Sequence, residues 1–424
     1  MWEKIQKIWK IKDLRNNILI VIGLLVIFRF TAHIPVPGVD TSALKNSLQG
    51  NQMFQMMDLF VGGTMKNFSL IMLGVGPYIT ASIIFQLLGM IVPKLEEIQK
   101  EGESGQQRIN MYTRWLTVPL AFIQAFAMIR LLTASSRILP MGMNVFQLIT
   151  VMLSITAGTM FLVWIGEIIS EKKVGNGISL LIFAGIVSSL PVALAGAITN
   201  YTSADFYTFV LFGIVAIATV VGVVFISEGQ RNIPVSYAKQ MRGSKTYGGS
   251  SSHLPLRVNM AGVIPIIFAI SLVMIPPMVA QFFVSAKAIW LRESANFIIQ
   301  TFNNQLIYGV LYFLFVFGFT YFYTSVVFHP NKIAENLQKN GGFIPGIRPG
   351  KETENYLKKV VSRINLVGAS FLGLIAILPL IVKAVTGSGS LSIGGTSLLI
   401  VVAVVIEIYR QIEAQITMHE YDRV

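Results

Sequence analysis

Ten long apolar stretches, parted by polar connections, follow one another along the 424 residues. They fall at about 16–34, 68–92, 115–133, 146–169, 178–198, 206–227, 259–284, 305–328, 363–384 and 396–412. A helix of about 18 or more apolar residues crosses a hydrocarbon core of roughly 30 Å, so the pattern predicts ten transmembrane helices and excludes the short strands of a β-barrel. The run from Asn67 to Val92 differs from the others, because Gly74, Gly76 and Pro77 break it. Backbone groups freed by such a break cannot face lipid, and this segment is predicted to line a cavity. The first run starts near Asn16 without a small-residue cleavage site, so it reads as a retained helix and not as a signal peptide.

Composition strengthens this picture. Hydrophobic residues make up 54% of the chain and charged residues only 12%, too few charges to clothe a soluble globule of this size. No cysteine is present, which removes disulfides, thiolate metal sites and cysteine nucleophiles from consideration. The formal charge of +13 is unevenly placed: the amino terminus, the even-numbered loops and the carboxyl terminus hold 25 Lys and Arg, against 7 in the odd-numbered loops. By the positive-inside rule both termini are cytoplasmic, which requires an even number of crossings. Attraction to anionic lipid accounts for part of the same excess. Five crossings per half would invert residues 201–424 relative to 1–200, as in many solute-carrying proteins, although no residue-level repeat is visible.

Three connections are more than linkers. The cytoplasmic stretches 229–258 and 329–362 are both basic and glycine-rich, as in Lys239-Gln-Met-Arg-Gly-Ser-Lys and Gly342-Phe-Ile-Pro-Gly-Ile-Arg-Pro-Gly. Each reads either as a solvated connection or, paired on one face, as mobile arms that dock an acidic partner such as ribosomal RNA or a motor. On the opposite side Pro35 and Pro37 set an extended exit, and residues 59–67 are too short to span and too apolar to float. They form either a small helix capping an internal cavity, with Gly62 and Gly63 lowering its stability, or a short helix lying on the bilayer.

Enzyme chemistry has no foothold. There is no His-Glu-x-x-His, and His33, His253, His329 and His419 lie in loops or at membrane edges. Gly346 to Glu352 only faintly resembles a phosphate loop, with Glu352 where a hydroxyl should hold magnesium. No catalytic residue, metal site or cofactor is predicted. Ionisable residues inside spans include Arg29, Glu167, Glu407 and Arg410. Glu167 and Glu407 sit near cytoplasmic ends, where an ion pair or water contact suits them better than ion-coupled carriage. A secondary solute carrier with inverted repeats remains the alternative to a channel.

Six stretches carry a family resemblance: Gly76-Pro-Tyr-Ile-Thr-Ala-Ser-Ile-Ile-Phe-Gln-Leu-Leu, Lys100-Glu-Gly-Glu-Ser-Gly-Gln-Gln-Arg, Gly175-Asn-Gly-Ile-Ser-Leu-Leu, His253-Leu-Pro-Leu-Arg-Val-Asn-Met-Ala-Gly, Gly342-Phe-Ile-Pro-Gly-Ile-Arg-Pro-Gly and Gly394-Gly-Thr-Ser-Leu-Leu-Ile. Together the chain resembles the bacterial SecY-type protein translocation channel. The resemblance implies an all-α membrane protein of ten transmembrane helices, in two inverted five-helix halves around a central hourglass pore. It implies an aliphatic pore ring of Val75, Ile79, Ile178, Ile182, Ile267 and Ile400, a dry neck that excludes ions yet yields to a passing chain. It further implies a plug of Leu59, Phe60, Val61, Gly62, Gly63, Thr64, Met65, Lys66 and Asn67. A lateral gate would lie between the second and seventh spans, with polar contacts from Gln124 and Asn259, and open toward membrane lipid. Arg242, Lys245, Arg257 and Arg348 are expected to meet a SecA-type motor ATPase or the ribosome. SecE-type and SecG-type small subunits, signal peptides and nascent chains complete the implied partners, in a bacterial plasma membrane.

Overall fold

The computed structural model describes residues 9–36, 64, 68–135, 144–199, 206–237, 240–242, 245–247, 251–284, 286–386 and 395–421. A helix occupies each of the ten predicted spans. In chain order these are α1 (Lys12–Thr31), α2 (Gly76–Ile91), the short α3 (Pro93–Lys100), α4 (Glu103–Ser135), α5 (Val145–Glu171), α6 (Gly177–Thr199) and α7 (Phe206–Glu228). After four short strands come α8 (Ile264–Phe283), α9 (Ile289–Asn303), α10 (Gln305–Val327), α11 (Pro330–Lys339), α12 (Lys351–Thr386) and α13 (Gly395–Tyr421). Among the described residues five helices are long and apolar enough to cross a membrane, or six if the pair α2 and α3, bent by 103°, is one span. Pro93 explains that bend, since it lacks the N–H that would continue the α2 ladder and instead opens α3.

Contacts divide the chain into two compact units. The first comprises Met1–Tyr207, Ile270–Tyr308 and Val404–Val424. Within it α2 packs on α4, α4 on α5 and α5 on α6, while α1 lies on α5 and α6. Leu14, Val21 and Phe28, seven residues apart, form the one buried stripe of α1; Leu19, Ile20, Ile22, Val26, Ile27 and Phe30 of the same helix are apolar yet exposed, as a lipid-facing surface is. Arg114 of α4 meets Glu167 of α5 at 3.2 Å, an ion pair, one of the two contacts expected for that acid.

The second unit comprises Thr208–Ala269 and Gly309–Ala403. Here Gly222 of α7 admits the ring of Phe371, and Gly373 of α12 that of Phe313 in α10. The buried Thr324 hydroxyl donates to Asn365 Oδ1 at 2.9 Å, tying α10 to α12. The strands are β1 (Gln230–Tyr237), β2 (Gln240–Arg242), β3 (Lys245–Tyr247), β4 (Ser251–Arg257) and β5 (Gly342–Phe343). They make an antiparallel sheet in the order β4-β1-β5 and a β2-β3 hairpin. Two connections read from sequence as solvated links or as mobile arms paired on one face are therefore joined into one folded body. Its core holds Ile233, Val235 and Leu256 from the sheet, Ile344 from the turn after β5, and Leu357, Val360 and Val361 from α12. Alternation at Ile233 and Val235 turns one face of β1 inward, and Ile333 and Leu337 of α11 cover it.

Candidate functional site

The broken apolar run folds differently from the expectation of a helix interrupted at mid-depth. Residues 68–75 form a chain of turns, and α2 begins only at Gly76 with Pro77 in its first turn. Gly74 takes φ +56°, a conformation that a side chain would oppose. This irregular backbone is buried, with Phe68, Ile71 and Met72 inaccessible to solvent, so its polar groups must find internal partners. They do. Val36 N–H donates to the Phe68 carbonyl at 2.9 Å, Leu70 N–H to that of Ile34 at 3.1 Å, and Gly74 N–H to that of Ile71 at 2.8 Å. Thr64, the one described residue of 59–67, donates its hydroxyl to the Ile71 carbonyl at 3.2 Å, and its own carbonyl accepts the Ser69 hydroxyl at 3.2 Å. The other eight plug candidates, Leu59 to Gly63 and Met65 to Asn67, lie outside the described residues. Beneath the turns Gly158 of α5 faces Leu70, where a Cβ would stand 2.7 Å from the carbonyl carbon.

Four of the six aliphatic ring candidates belong to the first unit. Val75 immediately precedes α2, and the Ile79 N–H donates to its carbonyl at 3.0 Å, which puts both on one face one turn apart. Ile178 and Ile182 hold the same relation on α6. The placement of that pair follows from the Gly175-Asn-Gly-Ile-Ser motif. The Asn176 side chain caps α6 by accepting the Ser179 N–H at 3.1 Å. The Gly177 N–H donates to Ser170 Oγ at 2.9 Å, and that hydroxyl donates to the Gly166 carbonyl at 2.9 Å. Gly177 thereby rests directly on the Gly166 peptide, a backbone approach that only small residues permit. The remaining two ring candidates lie in the second unit, Ile267 in the first turn of α8 and Ile400 early in α13. Apart from the half-buried Ile178, all six are at most 5% exposed.

Of the gate candidates, Gln124 is half-buried on α4, between the fully buried Ala121 and Ala125. Asn259 is nearly buried and turns the chain into α8. Its Oδ1 accepts the Gly262 N–H at 2.9 Å and its Nδ2 donates to the Gly262 carbonyl at 3.2 Å.

Of the basic candidates, Arg257 and Arg348 sit on the sheet body, and Arg242 and Lys245 on the β2-β3 hairpin. Arg348 is exposed in the turn between Gly346 and Gly350, whose φ values of +82° and +95° call for glycine. Its carbonyl accepts the Thr353 hydroxyl at 2.9 Å, so the turn is held by the Arg348 backbone and the guanidinium is left outward. Register puts Arg242 opposite Lys245 in the β2-β3 hairpin. Arg257 pairs with Gln230 at the other end of β4 from Ser251, where the hairpin joins; six residue steps separate those ends, about 20 Å at ~3.3 Å each. Among the described residues no three His, Asp or Glu side chains gather as a metal ion would require.

The features that sequence reasoning overlooked are Gly166 and Ser170, which seat α6, and the sheet itself. The spacing of Gly166 and Ser170, one helical turn apart on α5, was the available signal for the first. A model of the SecY family matches residues 69–409. The chain belongs to the SecY family. It is 42% identical to protein translocase subunit SecY of Corynebacterium glutamicum over 98% of both chains, and 42% identical to its counterpart in Halalkalibacterium halodurans over 99% of both. Its fold matches a structure described as that of a protein conducting channel, with a TM-score of 0.64 at 19% identity, covering 93% of this chain and 90% of the other. A SecY structure whose plug domain is described as stabilising the closed state scores 0.61 at 19% identity, covering 92% and 90%. Sec61 from a canine ribosome-channel complex also scores 0.61, at 18% identity, covering 93% and 90%. SecY-family membership makes the chain a multi-pass membrane protein of a non-enzymatic family of translocation-channel subunits. It lends no support to the solute-carrier alternative.

Proposed function

We propose that this chain is the central pore-forming subunit of a protein translocation channel: it conducts unfolded secretory polypeptides passively and releases hydrophobic segments sideways into the bilayer. Energy comes from a bound motor or ribosome. The observation that carries the reading is an uncharged aliphatic pair, Val75 and Ile79, set where a buried non-helical segment gives way to α2, in a chain 42% identical throughout to a translocase subunit. Such groups repel water from a narrow neck and thereby hold back ions, yet they flex around any passing side chain.

In this reading Ile178, Ile182, Ile267 and Ile400 complete the neck, and ten helices in two inverted halves, 1–200 and 201–424, surround an hourglass pore. Residues 59–67 plug it; the hydrogen bonds of Thr64 to the turn at 69–71 support a resting seat for that segment. Gln124 and Asn259 line the lateral gate. Arg242, Lys245, Arg257 and Arg348 receive the SecA-type motor or the ribosome; for Arg257 and Arg348 the role is favoured by the folded body that carries them, since a guanidinium on a fixed backbone loses less entropy on binding than one on a mobile arm. SecE-type and SecG-type subunits flank the channel in the plasma membrane, with both termini cytoplasmic. Photocrosslinkers at positions 79, 182 and 400 should trap an arrested secretory chain, whereas one at the exposed Ile217 of α7 should trap lipid. Lipid adducts at all four positions would overturn the reading.

A further inference from the structure

Between α8, which ends at Phe283, and α10, which begins at Gln305, lies the amphipathic α9. Its surface divides three ways. Leu291, Ala295, Ile298 and Phe302 recur at helical spacing, and the 2% exposure of Ala295 marks that side as packed against protein. Arg292, Asn296 and Gln300, spaced four apart, share another, exposed side. Trp290 and Phe297, seven apart, form a stripe between the two and are 68% and 70% exposed. A helix in water has no reason to offer two large rings along one edge while reserving another edge for a guanidinium and amides. A helix lying in a membrane interface does, because the rings enter the acyl boundary as the polar edge meets headgroups.

Two further observations select lipid as the occupant. The helices on both sides of α9 are long and apolar enough to span, so α9 is confined to the level at which they leave the bilayer. Its join to α10 has no slack: Asn304 N–H donates to the Gln300 carbonyl at 3.2 Å, and Asn304 Oδ1 accepts the Leu306 N–H at 3.0 Å. Leu306 itself is 78% exposed, a further apolar group in the first turn of the next span. Exposed Lys287 and Arg292 add attraction to lipid phosphates.

We propose that α9 is a lipid-anchored interfacial helix, with Trp290 and Phe297 embedded in the leaflet where α8 ends and α10 begins, and that it fixes the height of both spans. The inference is independent of what the channel carries. The chain has no cysteine, so single cysteines can be introduced and spin-labelled without interference. The full chain carrying W290C, F297C, N296C or Q300C would be reconstituted in phosphatidylethanolamine and phosphatidylglycerol vesicles. Collision of each nitroxide with oxygen, which favours lipid, would be compared with collision with a water-soluble nickel chelate. The ratio should favour oxygen at 290 and 297 and reverse at 296 and 300. Water-like ratios at all four sites would overturn the proposal, as would shielding of 290 and 297 from both reagents, which would mean that protein covers the stripe. All four sites are exposed, so loss of fold is not expected; a monodisperse elution profile checks each variant.

Discussion

Replacing Gly177 with alanine tests how the α6 isoleucines are positioned. The added Cβ would overlap the Gly166 carbonyl oxygen and stand 2.6 Å from its carbon, both of them backbone atoms that no rotamer change can move. Restoring an ordinary contact of 3.4 Å requires α5 and α6 to part by about 0.8 Å or more at this point. That shift also stretches the 2.9 Å bond from Gly177 N–H to Ser170 Oγ. Overpacking of this kind costs about 1–3 kcal/mol, a factor of roughly 5 to 150 in the folded-to-unfolded ratio. Gly213→Ala serves as the control, since a Cβ on that glycine of α7 meets nothing within 4 Å. Titration of purified chain with a denaturing detergent, followed by intrinsic fluorescence, should show Gly177→Ala unfolding well before wild type and Gly213→Ala unfolding with it or later. Vesicles containing Gly177→Ala should also leak ions, because Ile178 moves with its neighbour. A variant as stable and as tight as wild type would refute the argument that glycine contact seats α6.

Three other outcomes are expected. Asn365→Ala removes a buried interhelical partner of Thr324 and should lower stability by about 0.6–2 kcal/mol in the same titration; no change would mean that the bond holds nothing. Arg348→Glu leaves the Thr353 cap intact, because that bond uses the backbone carbonyl, so the thermal midpoint should stay put while partner-driven transport into vesicles slows. Normal transport would remove Arg348 from the contact. Hydrogen bonding to Lys339 at 2.9 Å, with its charge, holds the Glu335 carboxyl below the usual 4.5, so that pair stabilises α11 above the usual value and loses its effect as pH falls through the lowered one. Lys339→Ala should raise the Glu335 midpoint in a carbon-13 titration, and an unmoved midpoint would contradict the pairing.

The membrane helices were legible because a span must be long and apolar, and their ends at the water were not. α4 starts at Glu103 and α12 at Lys351, each 12 residues ahead of the predicted span, since helix emerging from lipid can be polar and leaves no apolar signal. The run at 68–92 misled in the opposite sense. Phe68 to Val75 is as apolar as a span but is a buried turn, and hydropathy cannot separate the two; Gly74, Gly76 and Pro77 marked the site without revealing that α2 begins there. Within the two basic connections, alternation at Ile233, Val235, Leu254 and Leu256 was masked by glycine and charge nearby, and by Pro234 and Pro255, which argue against strands. Gly177 stood out as a motif residue, but its partner Gly166 lies in another span and only the fold joins them.

The central claim is that an aliphatic collar seals a polypeptide passage. Conductance of planar bilayers holding the chain with Ile79→Ser and Ile267→Ser measures it most directly. Hydroxyls in the collar should let water and ions persist there, so the resting channel should pass current that wild type does not. Current no greater than wild type, from protein shown to be inserted and folded, would contradict the account.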